Sequence, residues 1–168
     1  MRLIRIAAAL LIACGAVVAS YRFAYLPWRA DVDRKRLERI TLVLWERQPR
    51  FGQPRARENV AEARQFLDRG IHNTGLYMVA AANYRILDDY DRAVAMYREA
   101  LQYDRRPQLY YNVGLMELGR GHKEEAKEAL IYAALFNPYY ILDIPDLEVR
   151  SEVERAVAPR RVLPWLVK

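Results

Sequence analysis

This 168-residue chain is poor in the residues that carry most metal and redox chemistry. It has one cysteine, Cys14, and two histidines, His72 and His122. A single cysteine excludes an intrachain disulfide and a cysteine metal cluster. Neither histidine has a second ligand at a spacing that would complete a metal site. We therefore expect no metal and no cofactor.

The sequence also lacks the short motifs of common enzyme classes. It has no glycine-rich phosphate loop, no nucleophile elbow and no HExxH zinc motif. Asp88, Asp89 and Asp91 crowd one turn, but the glycine and the distal glutamate of a calcium loop are missing there. Helix capping explains these aspartates better. We predict that the protein is not an enzyme.

Runs of alternating β-branched residues, which would indicate strands, are absent as well. Helix-forming residues dominate, and this favours an all-α fold. The hydrophobic fraction of 53% and the charged fraction of 29% are those of a folded chain rather than a disordered one.

What the sequence does contain is a repeat between residues 74 and 140. When residues 76–104 are moved forward by 33 positions, aromatic and small residues coincide: Tyr77 with Tyr110, Ala81 with Gly114, Ala93 with Ala126, and Ala100 with Ala133. A repeat of about this length, with small residues where two helices touch, is typical of a solenoid of helical hairpins.

Apolar periodicity and capping residues divide the chain into helices. They are predicted over residues 30–47, 55–70, 74–87, 90–103, 107–118, 122–136 and 146–158. Thr74 and Asp89 are expected to be N-caps, and Gly70 closes the second helix. The predicted organisation is an N-terminal segment (1–29), a degenerate hairpin (30–72), two repeat units (73–140), a C-terminal capping helix (141–159) and an extended tail (160–168).

Residues 6–21 carry no charge and follow Arg2 and Arg5. As an uncleaved anchor the segment would extend to Trp28, close to the roughly 20 residues that a membrane span needs. As a secretory signal it would be cleaved after Ala19. As a lipoprotein signal, with residues 11–14 as a lipobox, it would carry lipid on Cys14. All three interpretations place the folded domain at a membrane or beyond it.

The net charge of +6 is unevenly distributed. Residues 22–57 carry a net charge of +6, whereas residues 58–158 carry −5. A nucleic-acid-binding protein would carry its basic surface on the folded domain, so we predict no nucleic-acid partner. Basic residues beside an apolar segment fit a lipid bilayer better. They also favour a cytoplasmic domain, but the short basic N-terminus favours export, and we expect an extracytoplasmic, periplasmic domain.

The repeat resembles the tetratricopeptide repeat (TPR) family. The pattern is carried by Asn112, Val113, Gly114, Ala126, Ala133, Asn137 and Pro138 in the second unit, and by Tyr77, Ala81, Tyr84, Ala93, Tyr97 and Ala100 in the first. Glu117 and Arg105 depart from it, because an aromatic residue and a proline are usual at those positions. The resemblance implies a short right-handed α-solenoid in which tyrosines fill the space between hairpins.

The resemblance also implies a non-catalytic scaffold that binds partner segments in the groove lined by the first helix of each hairpin. The groove residues would be Met78, Ala82, Arg85, Tyr111, Asn112 and Leu115. Met78 stands where members that bind chaperone tails need a lysine, so a carboxylate clamp is not expected. The first hypothesis is therefore a membrane-anchored adaptor that docks a protein of an envelope or membrane complex. The alternatives are a self-assembling structural homo-oligomer and an accessory subunit of envelope polysaccharide assembly or export.

Overall fold

The computed structural model describes residues 2–47 and 52–158. These residues form helices joined by turns and contain no strand, which confirms the all-α prediction. The predicted tail, residues 160–168, lies outside the described part of the chain, as do Trp165 and the side chain of Trp45.

The helix bounds follow the predicted ones closely. The elements are α1 (Arg2–Ser20), a π-helical turn (Tyr21–Tyr25), α2 (Leu26–Arg47), α3 (Gln53–Leu67), α4 (Thr74–Ile86), α5 (Tyr90–Ala100), α6 (Pro107–Gly119), α7 (Lys123–Phe136), a 3₁₀ turn (Pro138–Ile141) and α8 (Leu147–Val157).

α1, the π-helical turn and α2 form one uninterrupted helix, which crosses the predicted boundary between residues 29 and 30. Its part Leu10–Leu44 is long and apolar enough to cross a membrane, and the most apolar stretch is only 6% buried. The N-H of Leu26 bonds to the carbonyl oxygen of Tyr21, five residues earlier. Pro27 follows directly, and a proline inside a helix needs such local widening. The chain therefore has one N-terminal helix with the properties of a membrane anchor or a signal.

The second half of this helix belongs to the folded domain. α2 packs against α3 and α4, and Ala30 and Leu37 are completely buried in the main hydrophobic core. Thus the apolar N-terminal segment is joined to the domain by continuous helix, without a linker.

Helix starts follow ordinary capping rules. The Asp89 carboxylate accepts a hydrogen bond from the backbone N-H of Arg92 at 3.1 Å, as predicted for an N-cap. The prediction for Thr74 is wrong by one residue. Asn73 is the N-cap of α4, and its side chain accepts from the N-H of Gly75 at 2.9 Å. Both residue types cap well, and Asn73 holds the extended backbone that the position requires.

Small residues lie where the helices of each hairpin touch. Ala81, Ala93 and Ala126 are completely buried. A Cβ atom placed on Gly114 would lie 2.5 Å from Cγ of Leu130 and 3.1 Å from the carbonyl oxygen of Ala126. α6 and α7 can therefore approach this closely only because residue 114 has no side chain.

The C-terminal helix departs from the alternation of the earlier hairpins. Lys123 and Lys127 of α7 pair with Glu148 and Glu152 of α8 at 2.5 and 3.1 Å, so the two helices run in the same direction. Residues 137–146 make the return crossing that this requires. α8 buries Val149, Val153 and Val157 and covers the apolar cluster at the end of the domain.

We expect Gly114→Val to lower the melting temperature of the full chain in detergent micelles by several degrees. The added atoms collide with Leu130 and with the α7 backbone, and overpacking of this kind costs about 1–3 kcal/mol. Ala95→Val, at an exposed position of α5, is the control. Equal melting of the two variants by circular dichroism would contradict close packing at Gly114.

Candidate functional site

The six predicted groove residues lie on α4 and α6, and all are partly exposed. Met78 and Ala82 line one groove and Arg85 and Leu115 line a second, while the ring of half-buried Tyr111 stacks on Tyr140.

The first groove lies between α2 and α4 and has a volume of about 300 Å³. It is lined by Glu38, Thr41, Leu42, Met78, Val79, Ala82 and Tyr97. Its walls are almost entirely apolar, and Glu38 supplies the one charged group of the lining. We call this the α2–α4 groove. Sequence reasoning found its α4 side but not its α2 side.

A buried polar network fixes the two walls of the α2–α4 groove. The side-chain amide of Asn83 donates to Oγ1 of Thr41 at 2.7 Å and to the carbonyl oxygen of Val79 at 2.8 Å. Nδ2 of Asn59, on α3, donates to Oδ1 of Asn83 at 3.2 Å. Asn59 and Asn83 are completely buried. The network therefore ties α2, α3 and α4 together at one level.

The sequence carried a signal for this network that pattern reasoning passed over. Asn59 and Asn83 stand on the apolar faces of their helices, beside Val60 and Tyr84. A buried amide is costly unless it is hydrogen-bonded, so an asparagine on a core face indicates a specific partner. Here the partners are each other and Thr41.

Tyr97 of α5 closes the floor of the α2–α4 groove. Its side chain is 5% exposed, and burial raises the pKa of its hydroxyl to about 12, with Arg85 lowering it slightly. The phenol therefore stays neutral throughout the physiological range. The floor offers an apolar ring to an occupant rather than a charge.

The second groove is more polar and has a volume of about 400 Å³. It lies where the C-terminal ends of α4 and α6 meet the start of α8. Its lining includes Arg85, Tyr90, Leu115, Leu118, Lys123, Pro145 and Asp146. Lys123 is neutralised there by Asp146 at 3.3 Å and by Glu148 at 2.5 Å.

The return crossing between α7 and α8 covers the middle of α6. The rings of Tyr111 and Tyr140 stack with their centroids 4.5 Å apart, and the Tyr111 hydroxyl donates to the carbonyl oxygen of Asp143 at 3.3 Å. Asn112 is half-buried beside it. The segment between α7 and α8 thus contacts Tyr111, while Met78 and Ala82 on α4 line the open, apolar α2–α4 groove.

Glu117, one of the departures from the family pattern, is completely buried. Its carboxylate accepts from Arg98 of α5 and from Arg120, both at 2.7 Å, and lies 3.2 Å from Nδ1 of His122. Arg120 also pairs with Asp91 at 2.7 Å. This cluster joins α5 to α6, and it accounts structurally for His122.

His72 is likewise engaged in packing. Its Nδ1 lies 2.8 Å from the Tyr77 hydroxyl, and its ring stacks on Tyr103 at 4.5 Å. Within the described ranges, no group of three metal-binding side chains is close enough to hold an ion.

Comparisons of this chain with protein-family models, with curated proteins and with solved structures found no match. The TPR resemblance therefore stays a prediction that rests on residues of this chain alone.

We expect Asn83→Ala to lower the free energy of unfolding by about 2–3 kcal/mol, because it removes two bonds between helices and leaves Asn59 without its acceptor. Asn112→Ala, a matched change on α6, should cost less than about 0.5 kcal/mol. Chemical denaturation in micelles measures both. Similar losses in the two variants would mean that the network does not hold the groove walls.

The burial of Tyr97 leads to a second prediction, which concerns the stability of the fold at alkaline pH. An unfolded tyrosine titrates near pH 10, whereas the folded pKa is about 12. Between these pH values only the unfolded chain releases the proton of the Tyr97 hydroxyl. The neutral Tyr97 side chain therefore contributes fully to the stability of the fold below pH 10, and this contribution is lost as pH rises through 12. Tyr97→Phe should flatten the fall in stability over this window, whereas Tyr139→Phe, at an exposed position, should not. Denaturation at several pH values gives the comparison.

Proposed function

We propose that this chain is a non-catalytic, membrane-anchored TPR adaptor that docks a protein of an envelope or membrane complex in the α2–α4 groove. One observation carries the proposal: the same continuous helix supplies the apolar N-terminal segment and one wall of the groove. Thr41 and Leu42 lie on the helix that begins at Arg2. A segment bound in the groove would be held beside the bilayer.

The packing of the described helices supports the TPR part of the proposal. Short turns join α4 to α5 and α6 to α7, and the hairpins touch at Ala81, Ala93, Gly114 and Ala126. Tyr77, Tyr84 and Tyr97 are buried in the shared core, as the resemblance implies. Tyr110 is only partly buried and packs on Tyr132 within its own hairpin, at 3.9 Å.

The groove chemistry defines the occupant. Its apolar walls suit a short segment with two or three large apolar side chains, and such anchors in a pocket supply most of the affinity of an interface. Glu38 favours a basic residue at one end of that segment, although Arg34 already pairs with it at 2.5 Å. We therefore propose an apolar segment, flanked by a cation, in a protein of the same membrane.

We place the domain on the extracytoplasmic, periplasmic side, with the N-terminal segment retained as the anchor. The basic run after the apolar segment is largely neutralised within α2. Arg29 pairs with Asp33 at 2.8 Å and Lys35 with Asp31 at 3.0 Å, while Arg36 pairs with Glu62 of α3. The short basic N-terminus, with Arg2 and Arg5, favours export of the domain.

A photoreactive amino acid in place of Leu42 tests the proposal. Crosslinking in native membranes should join the chain to a membrane protein whose crosslinked segment is apolar and flanked by a cation. A synthetic peptide of that segment should bind the chain. Ala82→Phe, which fills the groove, should weaken peptide binding at least tenfold, whereas Ala95→Phe on exposed α5 should not. A crosslink only to a second copy of this chain would favour self-assembly instead.

A further inference from the structure

The direction of α2 within the domain shows which end of the domain lies nearest the apolar segment. Gly75, at the start of α4, lies against Arg34 and Glu38 of α2. Asn83, two turns later in α4, bonds to Thr41. α2 and α4 therefore run in the same direction. The end of the domain that carries the start of α4 is the end from which the apolar segment extends.

Two loops reach close to this segment. Asp31 of α2 lines one cleft with His72, from the turn between α3 and α4, and with Arg106, from the turn between α5 and α6. Asp31 is three residues beyond Trp28, which corresponds to about 4.5 Å along a helix axis. Trp28 is 60% exposed and ends the apolar segment. Both loops therefore lie at the end of the domain from which the apolar segment extends.

These loops carry the residue types that membrane interfaces favour. We call Arg69, Tyr103, Arg105 and Arg106 the basal surface. All four are exposed, and Tyr103 is held in place by its stack on His72 at 4.5 Å. Arg106 pairs with Asp104. Arg69 and Arg105 have no acidic partner among the residues that the structure describes.

The opposite end of the domain carries charges of both signs. The turn between α4 and α5 carries Asp88, Asp89 and Asp91, and α7 begins with Glu124 and Glu125. The start of α3 lies at this end as well, and it carries Arg55, which pairs with Glu58 at 2.5 Å, and the exposed Arg57. The basal surface is therefore distinguished by its position beside the apolar segment rather than by a difference in charge between the two ends of the domain.

We propose that the basal surface rests on the phospholipid head groups of the membrane that holds the anchor. Arg69 and Arg105 bind head-group phosphates, and Tyr103 lies at the level of the interface. Lipid phosphates attract basic residues near the surface, and tyrosine is enriched at the boundary between membrane and water. This inference rests on the retained anchor of the proposed function, but it adds a second contact that orients the domain.

An acidic protein is the competing ligand for such a surface. The position of the basal surface favours lipid, because a surface at the end of the domain from which the anchor extends faces head groups at high local concentration. The contact also explains what the anchor alone does not: it would prevent the domain from tilting and would keep the α2–α4 groove at a fixed height above the bilayer.

The test uses the full chain with Cys14→Ser and Gln102→Cys, the latter carrying an environment-sensitive fluorophore beside the basal surface. The chain is reconstituted into vesicles of phosphatidylcholine alone or of three parts phosphatidylcholine to one part phosphatidylglycerol. We expect a blue shift of emission in the anionic vesicles that high salt reverses, since salt screens exposed charges. The same label at Glu125→Cys, at the far end of the domain, should have the same emission maximum in both types of vesicle.

Charge reversal supplies the matched control. Arg69→Glu with Arg105→Glu should remove the blue shift at position 102, since each arginine contributes about fivefold to lipid association. Arg57→Glu with Arg92→Glu changes the net charge equally, away from the basal surface, and should leave the shift in place. Far-UV circular dichroism of all variants confirms that they fold.

The outcomes separate this inference from the proposed function. Flotation with phosphatidylcholine vesicles reports the anchor alone, and a chain that does not float overturns both. A chain that floats but shows the same emission at position 102 in both vesicle types overturns the basal contact and leaves the anchor standing. Loss of the shift in both double variants would likewise overturn it, because the effect would then follow net charge rather than position.

Discussion

The burial of α2 in the domain core is the constraint on which the rest of the structure depends. A segment that could have been a flexible stalk is instead a structural helix, with Ala30 and Leu37 completely buried. Because apolar burial holds α2 against α3 and α4, the apolar segment in front of it continues in a fixed direction. The groove wall at Thr41 and the loops near Trp28 take their positions from the same helix.

The polar network at Asn83 complements this burial. Apolar contacts alone allow two helices to slide past one another by a residue at modest cost, whereas a buried amide that must find its acceptor selects one alignment. Asn83 uses both amide hydrogens and its oxygen, which fixes α4 against α2 and α3 together. The Glu117 cluster has a similar role between α5 and α6. Buried polar groups thus align neighbouring helices on both sides of the central hairpin.

Local pattern predicted most of the fold, because the helices follow apolar periodicity and capping residues that act over a few positions. Local pattern failed at the N-cap of α4, where it predicts Thr74 and the structure has Asn73. The two residues are adjacent and both cap helices well, so pattern alone does not choose between them. The site was harder to predict. The crossing that covers Tyr111 and the α2 wall at Leu42 depend on how distant segments meet, and no short-range pattern encodes that. Only the asparagines on apolar faces gave a local sign of a long-range contact.

The π-helical turn at Tyr21–Tyr25 has a consequence for how the molecule faces its neighbours. One additional residue in a helical turn rotates everything beyond it by about 100° around the axis. The turn therefore sets how the domain is rotated about the helix axis relative to the faces of the apolar helix. Removing a single residue there would leave both ends of the helix intact and rotate the groove by about 100° relative to the apolar helix. The direction in which the α2–α4 groove faces is thus set by a turn that precedes the domain.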